Sequence, residues 1–455
     1  MTDIIEAASI IERAQATLRA NDRGGYTVPT DRLYPFQWNW DSAFVAMGWA
    51  TFDIPRAWEE IRHLLRGQWT DGLIPQIIFH APSDDYFPGP DVWQTNHTPP
   101  TSGIPQPPIL ATAVRAVLAS SPDRAAEIAE IYPKLIANHR WWHTARDPEG
   151  TGLVATLHPW ESGMDNSPAW DAAMARVPTT TTTTIRRRDT SHIDPAMRPK
   201  AEDYQRFIHL VDLFRETGWS PAAMYAVSPF RMADIGTNAI LLRAEQDLLA
   251  LCASHGTRAE AAEIAERILR MKTAQADLWD PKRGIYVSRD LIARANVDVA
   301  TSAGFLPLYA GIDTHAADLA ATLDRWHSRV PWLVPSTDPT DRRFEPMRYW
   351  RGPVWAVVNW MIAEGFSKTG QPGKATTIIE ATRTLIDQTG LSEYFDPTTG
   401  AGLGGETFSW TAAIRLIIEP QLGGPVAAEP KMQFSQSRND QTSFRISKVE
   451  RAPFG

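Results

Sequence analysis

The stretch NAILLRAEQDLLALCAS, Asn238 to Ser254, repeats its apolar side chains at three- and four-residue spacing, the period of a helix with one face against a core. Beyond it, Ala259 to Leu278 repeats the pattern. Upstream, the same spacing runs through Ile4 to Leu18, Pro108 to Leu118, Arg124 to Trp142 and Asp203 to Phe214. Downstream it runs through His315 to Trp326, Trp355 to Phe366, Lys374 to Asp387 and Phe408 to Ile418, with shorter helices expected in Ala222 to Ile235 and Thr301 to Tyr309. Alternating β-branched runs joined by hairpin turns are absent from the sequence, so the spacing predicts an all-α chain of about a dozen helices.

The connections are long and rich in proline and aromatic residues: Gly24 to Asp41, Thr70 to Pro107, Thr156 to Lys200, Pro331 to Gly352 and Leu391 to Glu406. Loops of that length in a compact domain carry function or lack structure. An (α/α)6 barrel accounts for them, with helix pairs joined by short links at one end and by long, pocket-building links at the other. The expected organisation is a catalytic domain over residues 1–420, with insertions at about 70–107 and 156–200 forming a lid over the pocket. The run Thr179 to Thr184 and its polar continuation to Pro199 read as a flexible, ligand-ordered lid or linker. Residues 421–455 are polar and aperiodic and are expected to be a disordered tail.

With 455 residues, 43% of them hydrophobic, the chain can bury a large core. A formal net charge of −8 disfavours a nucleic-acid partner, and no window approaches the roughly 18 apolar residues of a membrane span. The lone Cys252 and an N-terminus that mixes Asp3, Glu6, Glu12 and Arg13 among apolar residues predict a cytoplasmic protein. A homo-oligomer is left open. Many of the 18 tryptophans lie in polar, proline-rich stretches, where exposed indoles suit stacking on sugar faces.

Two acidic loops stand out. Trp160-Glu161-Ser162-Gly163-Met164-Asp165-Asn166-Ser167 sets two carboxylates beside an indole and a glycine, the makings of a proton donor with a raised pKa or of a helix-capping Asx turn. Glu393-Tyr394-Phe395-Asp396-Pro397-Thr398-Thr399-Gly400, followed by Gly402, Gly404 and Gly405, reads as a close-approach loop whose Glu393 holds a water, or as an Asp-Pro turn. Two aromatic clusters, Tyr34 to Asp41 (with Trp38 and Trp40) and Arg348 to Trp355 (with Tyr349, Trp350, Arg351 and Gly352), suit a sugar with apolar faces and a polar rim. Core packing is their other reading, although Asp41 and Arg351 would be costly to bury unpaired. His139 and His143, four residues apart, lack the glutamate of the zinc-protease motif, and no metal or other cofactor is expected. The adjacent Asp84 and Asp85 are the acids a magnesium-dependent cyclase would use.

Gln-Trp-Asn-Trp-Asp-Ser-Ala-Phe at 37–44, Glu-Ser-Gly-Met-Asp-Asn-Ser-Pro at 161–168, Tyr-Trp-Arg-Gly-Pro-Val-Trp at 349–355 and Glu-Tyr-Phe-Asp-Pro-Thr-Thr-Gly at 393–400 together resemble glycoside hydrolase family 63, in that family's order. The resemblance implies an (α/α)6 barrel that hydrolyses α-glycosides with inversion, Asp165 being the general acid and Glu393 the general base, with Glu406 the weaker candidate for the base. Carboxyls about 6.5–9.5 Å apart are expected of such a pair. Among family members, the compact bacterial enzymes acting on glucosylglycerate or mannosylglycerate resemble the chain best. That likeness implies a glycone subsite of Tyr34, Trp38, Trp40 and Asp41, with Gln106 and Tyr349 near the aglycone. Trp160, Gly163, Trp350, Arg351, Gly352 and Trp355 join them as expected substrate-binding residues. A glycerate carboxylate calls for an arginine, and Arg206, beside Tyr204 and Phe207, is the expectation. The alternatives are an inverting α-glucosidase acting on a neutral disaccharide or oligosaccharide, and a non-catalytic sugar-binding protein.

Overall fold

Polar caps decide where the periodic stretches start to coil. Ser9 and Glu12 form a reciprocal capping box on helix α1 (Ile10–Asn21), and Thr257 and Glu260 do the same for α9 (Arg258–Ala276). The Asp234 carboxylate accepts from the backbone N–H groups of Gly236 and Thr237 at 3.2 and 2.8 Å, opening α8 (Ile235–His255). The remaining helices are α2 (Asn39–Trp49), α3 (Ile54–Arg66), α4 (Leu110–Ser120), α5 (Glu127–Ala145), α6 (Ala201–Glu216), α7 (Pro221–Val227), α10 (Ala316–His327), α11 (Ala356–Lys368), α12 (Pro372–Thr389) and α13 (Ser409–Ile418). This computed structural model describes residues 8–422 apart from Arg32 and His192. Residues 423–455, most of the expected tail, lie outside the described residues.

An inner ring closes in the order α2, α4, α8, the tight helical segment Ser302–Leu308, α11 and α13, which returns to α2. Outer helices back this ring: α1 on α13, α3 on α2 and α4, α5 and α9 on α8, and α12 on α11. α10 meets the Ser302–Leu308 segment where Trp326 packs edge-on against Phe305, centroids 5.2 Å apart. The architecture is the expected (α/α)6 barrel.

Two barrel helices, α2 and α3, are not among the stretches predicted above. Every residue of α2 is buried, so it lacks the polar stripe that marks a helix by period. α3 does carry that stripe, with Ala57, Trp58, Ile61, Leu64 and Leu65 buried on one face, and it is legible in the sequence. Conversely, α6 is not a barrel helix. With α7 it belongs to the connection between α5 and α8, and it packs Phe207, Ile208 and Val211 into a second core with Trp93, Trp160 and Trp170. The insertion therefore runs past Lys200 to the start of α8.

Two-residue ladders rivet the connections together. Gln37–Trp38 pairs antiparallel with Ile77–Ile78, and Tyr394–Phe395 with Gly402–Leu403. The threonine run is not a free strap: the backbone N–H groups of Thr182 and Thr183 donate to the Asp212 carboxylate of α6 at 2.7 and 3.0 Å. Beyond that run, the 156–200 connection reaches the pocket through Arg188, Asp189, Arg198 and Pro199, in addition to Trp160, Gly163 and Asp165 ahead of it.

Candidate active site

The pocket sits where α2, α4, α11 and α13 begin, and all five long connections contribute to its wall. Tyr34, Trp38, Trp40, Asp41, Gln106, Trp160, Gly163, Asp165, Tyr349 and Glu393 line it together. Its indoles are not the exposed platforms expected: Trp38, Trp40 and Trp160 are all buried in the pocket wall.

Asp165 follows a turn held from three sides. The neighbouring Glu161 is fully buried and bonded to Arg146, Nη2 to Oε1 2.8 Å, and it accepts the Leu157 N–H. That pairing removes Glu161 from the chemistry and leaves Asp165 as the carboxyl facing the pocket. On the other side, Asn166 Oδ1 accepts from the backbone N–H of Trp350 at 2.9 Å. Gly163 adopts φ +70°, and a Cβ there would come within 2.8 Å of the Trp40 indole; the glycine is needed both for the turn and for that close approach. Desolvation, opposed by Arg198 and reinforced by Glu393 and Asp189, lifts the Asp165 carboxyl to about 7. It thus keeps its proton up to about neutral pH, where an ordinary aspartate is ionised.

Glu393 is 1% exposed, and its polar neighbours favour the charged form although burial leaves its pKa raised overall. Its Oε1 accepts from the Tyr34 hydroxyl at 3.0 Å, its Oε2 accepts from the Gly405 backbone N–H at 3.0 Å, and Arg198 Nη1 lies 3.6 Å from Oε1. Burial raises the pKa of Glu393, while Arg198, Gly405, Tyr34 and Tyr349 pull it back. Gly404, at φ +73°, makes room for this: a Cβ would fall 2.4 Å from Glu393 Oε2. Asp41, in the first turn of α2, is buried beside them with a pKa pushed well above the carboxylate range, by desolvation first and then by Glu393 and Glu60.

Several expected substrate contacts lie elsewhere. Trp350 and Trp355 are buried and stacked on each other, centroids 3.8 Å apart, outside the pocket wall. Trp355 Nε1 donates to the Tyr349 carbonyl at 3.2 Å, fixing Tyr349 in a left-handed conformation, φ 46°. Arg351 pairs with Asp171 and Glu345 and reaches the Asn166 carbonyl, and Gly352 sits against the Glu345 carbonyl. These four residues brace the loops that carry Asp165 and Tyr349, and none of them lines the pocket.

Arg206 is the clearest correction. Its guanidinium donates to the carbonyls of Met174 and Val177 and pairs with Glu202 on the same helix, so it is already used and does not line the pocket. Two arginines do, the exposed Arg188 and the buried Arg198, and it is Arg198, 5% exposed, that lies 4.2 Å over the Tyr349 ring. Its Nη1 is buried without a hydrogen-bond partner. A lone arginine in Met-Arg-Pro-Lys has no sequence mark to distinguish it. Tyr86, Phe87 and Tyr204 also line the pocket unanticipated. Glu406 is exposed outside it, as are Asp84 and Asp85. His139 and His143 both face Glu245, each 3.0 Å from its Oε1, in a buried cluster with Arg267. Among the described residues, no helix is long and apolar enough to cross a membrane.

Residues 34–411 match the family model of the mannosylglycerate hydrolase MGH1-like glycoside hydrolase domain. The chain is 48% identical to a mannosylglycerate hydrolase of Thermus thermophilus over 89% of its own length and 99% of the relative's. A glucosylglycerate hydrolase of Mycolicibacterium hassiacum is 34% identical, over 88% of this chain and 95% of that one. The crystal structure of the family 63 mannosylglycerate hydrolase from Thermus thermophilus in complex with Tris and D-glycerate superposes with a TM-score of 0.87, at 48% identity, covering 90% of this chain and 99% of that one. A neutral trehalase from Saccharomyces cerevisiae, 16% identical over 86% of this chain and 72% of its own with a TM-score of 0.56, shares the fold. Barrel, pocket and sequence agree, and the chain belongs to the mannosylglycerate hydrolase MGH1-like enzymes of glycoside hydrolase family 63.

Proposed function

We propose that this glycoside hydrolase cleaves a small 2-O-α-glycosylglycerate to hexose and glycerate by direct displacement at the anomeric carbon. Asp165 gives its proton to the glycosidic oxygen as the bond to the sugar breaks. Glu393 takes a proton from a water attacking the opposite face, so the anomeric configuration inverts and no covalent intermediate forms. Solvent then returns Asp165 to its acid and Glu393 to its base form.

The observation that carries this reading is one pocket shared by an acid lifted to about 7, a carboxylate held by Tyr34 and Gly405, and a buried arginine edge without an acceptor. The first two are the groups that an inverting displacement requires. The third is what an anionic aglycone requires, because a buried N–H without an acceptor is costly until a ligand oxygen meets it. Tyr34, Trp38, Trp40 and Asp41 would hold the sugar, and Gln106, Tyr349 and Arg198 the glycerate. The relatives' substrates, mannosylglycerate and glucosylglycerate, support the aglycone, as does the D-glycerate bound in the crystal structure of the Thermus thermophilus enzyme.

The test is hexose release by the purified protein from glucosylglycerate, mannosylglycerate and a neutral α-linked disaccharide, with the first-formed anomer read by proton NMR. Release from a glycosylglycerate as the β-anomer is expected. An α-anomer as first product overturns inversion, and a preference for the neutral disaccharide overturns the glycerate assignment while leaving the α-glycosidase.

A further inference from the structure

Two carboxylates flank one guanidinium in this pocket. Arg198 Nε donates to Asp189 Oδ2 at 3.1 Å, while Glu393 Oε1 stands 3.6 Å from Nη1 without a hydrogen bond. The rest of Arg198 has little freedom. Arg348 Nη1 donates to the Arg198 carbonyl at 2.9 Å, and the Tyr394 hydroxyl donates to the carbonyl of the preceding Met197 at 2.8 Å. With the backbone held, the direction of the guanidinium depends on which carboxylate takes it.

Asp189 is built to win that contest. Arg187 grips it through two bonds, Nε to Oδ1 at 3.0 Å and Nη2 to Oδ2 at 2.7 Å. Arg187 in turn donates to the Pro199 carbonyl at 2.8 Å and lies 4.5 Å over the Tyr204 ring. The two ends of the segment 187–199 are thereby stapled, and Asp189 bridges the two arginines. Without Asp189, a buried guanidinium this close to Glu393 would turn onto it, because a fully formed charge-assisted pair is far stronger in a dry site than a contact at van der Waals range. Such a pair would neutralise the base and consume the N–H edge that an anionic aglycone needs.

We propose that Asp189 is a positioning residue that competes with Glu393 for Arg198, keeping Glu393 free to accept a proton and Arg198 Nη1 open to a substrate carboxylate. The inference rests on the reading given under Proposed function. Glu393 is faced by Tyr34, by Asp41 of α2, by Asp165, by Tyr349 ahead of α11, by its neighbour Tyr394 and by the cation Arg198. Its protonation therefore reports where Arg198 points.

The experiment is the pH profile of kcat/KM for Asp189→Asn on a glycosylglycerate and on a neutral α-glycoside, with Arg187→Lys as a milder variant that keeps the Asp189 charge. In Asp189→Asn, Arg198 pairs with Glu393 and the acidic limb moves to lower pH. The basic limb follows, because Asp165 loses the Asp189 charge that helps raise it. KM for the glycosylglycerate rises about tenfold, roughly the loss of one oriented charge-assisted contact, and KM for the neutral glycoside stays put. Arg187→Lys shifts in the same direction by less. Unmoved limbs overturn the proposal, whether KM is unchanged or activity falls equally on both substrates with the melting temperature. So does tighter binding of the glycosylglycerate, which would make Asp189 a mere repelling charge. A parent enzyme that ignores glycosylglycerates overturns the substrate reading instead, and the limb shift on the neutral glycoside then decides the hold of Asp189 on Arg198.

Discussion

The Tyr34 hydroxyl lies 3.0 Å from Glu393 Oε1 and 3.2 Å from the hydroxyl of Tyr349. Three separate connections meet at that point. Since Tyr34 donates to the carboxylate, its oxygen is left to accept from Tyr349, and the two phenols form a relay that ends on the charged form of Glu393. Tyr34→Phe should raise the pKa of Glu393, moving the acidic limb of kcat/KM to higher pH. It should also cost about 1.5–3 kcal/mol of transition-state stabilisation, the worth of a hydrogen bond to a charged group. A profile superimposable on the parent's would show that the phenol merely packs.

The Asp165 carboxyl makes a prediction about stability as well as rate. Its pKa is raised from 3.8 to about 7 on folding, so the folded state holds a proton that the unfolded state releases. Stability from this group is complete below pH ~4 and declines as pH rises towards 7. Asp165→Asn should abolish turnover while removing that decline. The stability of the variant, read from thermal melts, should therefore gain on the parent as pH rises from about 4 to 7, by up to about 4 kcal/mol at roughly 1.4 kcal/mol per pKa unit. Parallel melting curves across this range would place the Asp165 pKa near its ordinary value.

Gly163 bears on the sugar site through Trp40. Gly163→Ala places a methyl 2.8 Å from the indole at φ +70°, a left-handed conformation that costs an alanine roughly 1–2 kcal/mol before any clash. The indole must move, and it lines the pocket. The variant should lose at least tenfold in kcat/KM and a few degrees in melting temperature. Full activity would mean that Trp40 does not touch the sugar.

Arg206 and Arg198 separate structure from recognition. Arg206→Ala leaves the Met174 and Val177 carbonyls without their donor and should lower stability by about 1–2 kcal/mol, with the preference between charged and neutral glycosides unchanged. Arg198→Ala should erase that preference. Kinetics on both substrates beside thermal melts check the pair, and the reverse outcome would return the carboxylate to Arg206.

The helices were legible in the sequence because local spacing encodes an amphipathic face, as α8 and α9 show. α2 was not, because a segment buried on every side carries no period. Asp165, Glu393, Tyr34 and the indoles were legible as types, because carboxylates and rings gathered in polar loops are unusual. Their roles stood out only through the family's ordered motifs. Which side chains face one another was decided by tertiary structure alone. Glu161 and Asp165 are equal candidates on paper, and only the buried Arg146 on one side separates them. Trp350 and Trp38 are equally aromatic in sequence, yet one stacks on Trp355 and the other lines the pocket. Arg198 and Arg206 are both cations near Tyr204, and the difference is that one finds the carbonyls of Met174 and Val177 while the other is left with an unfilled N–H beside Glu393. Composition and spacing specify what a residue can do; the partners it meets across 200 positions of chain decide whether that capacity is spent on the fold or left for a ligand.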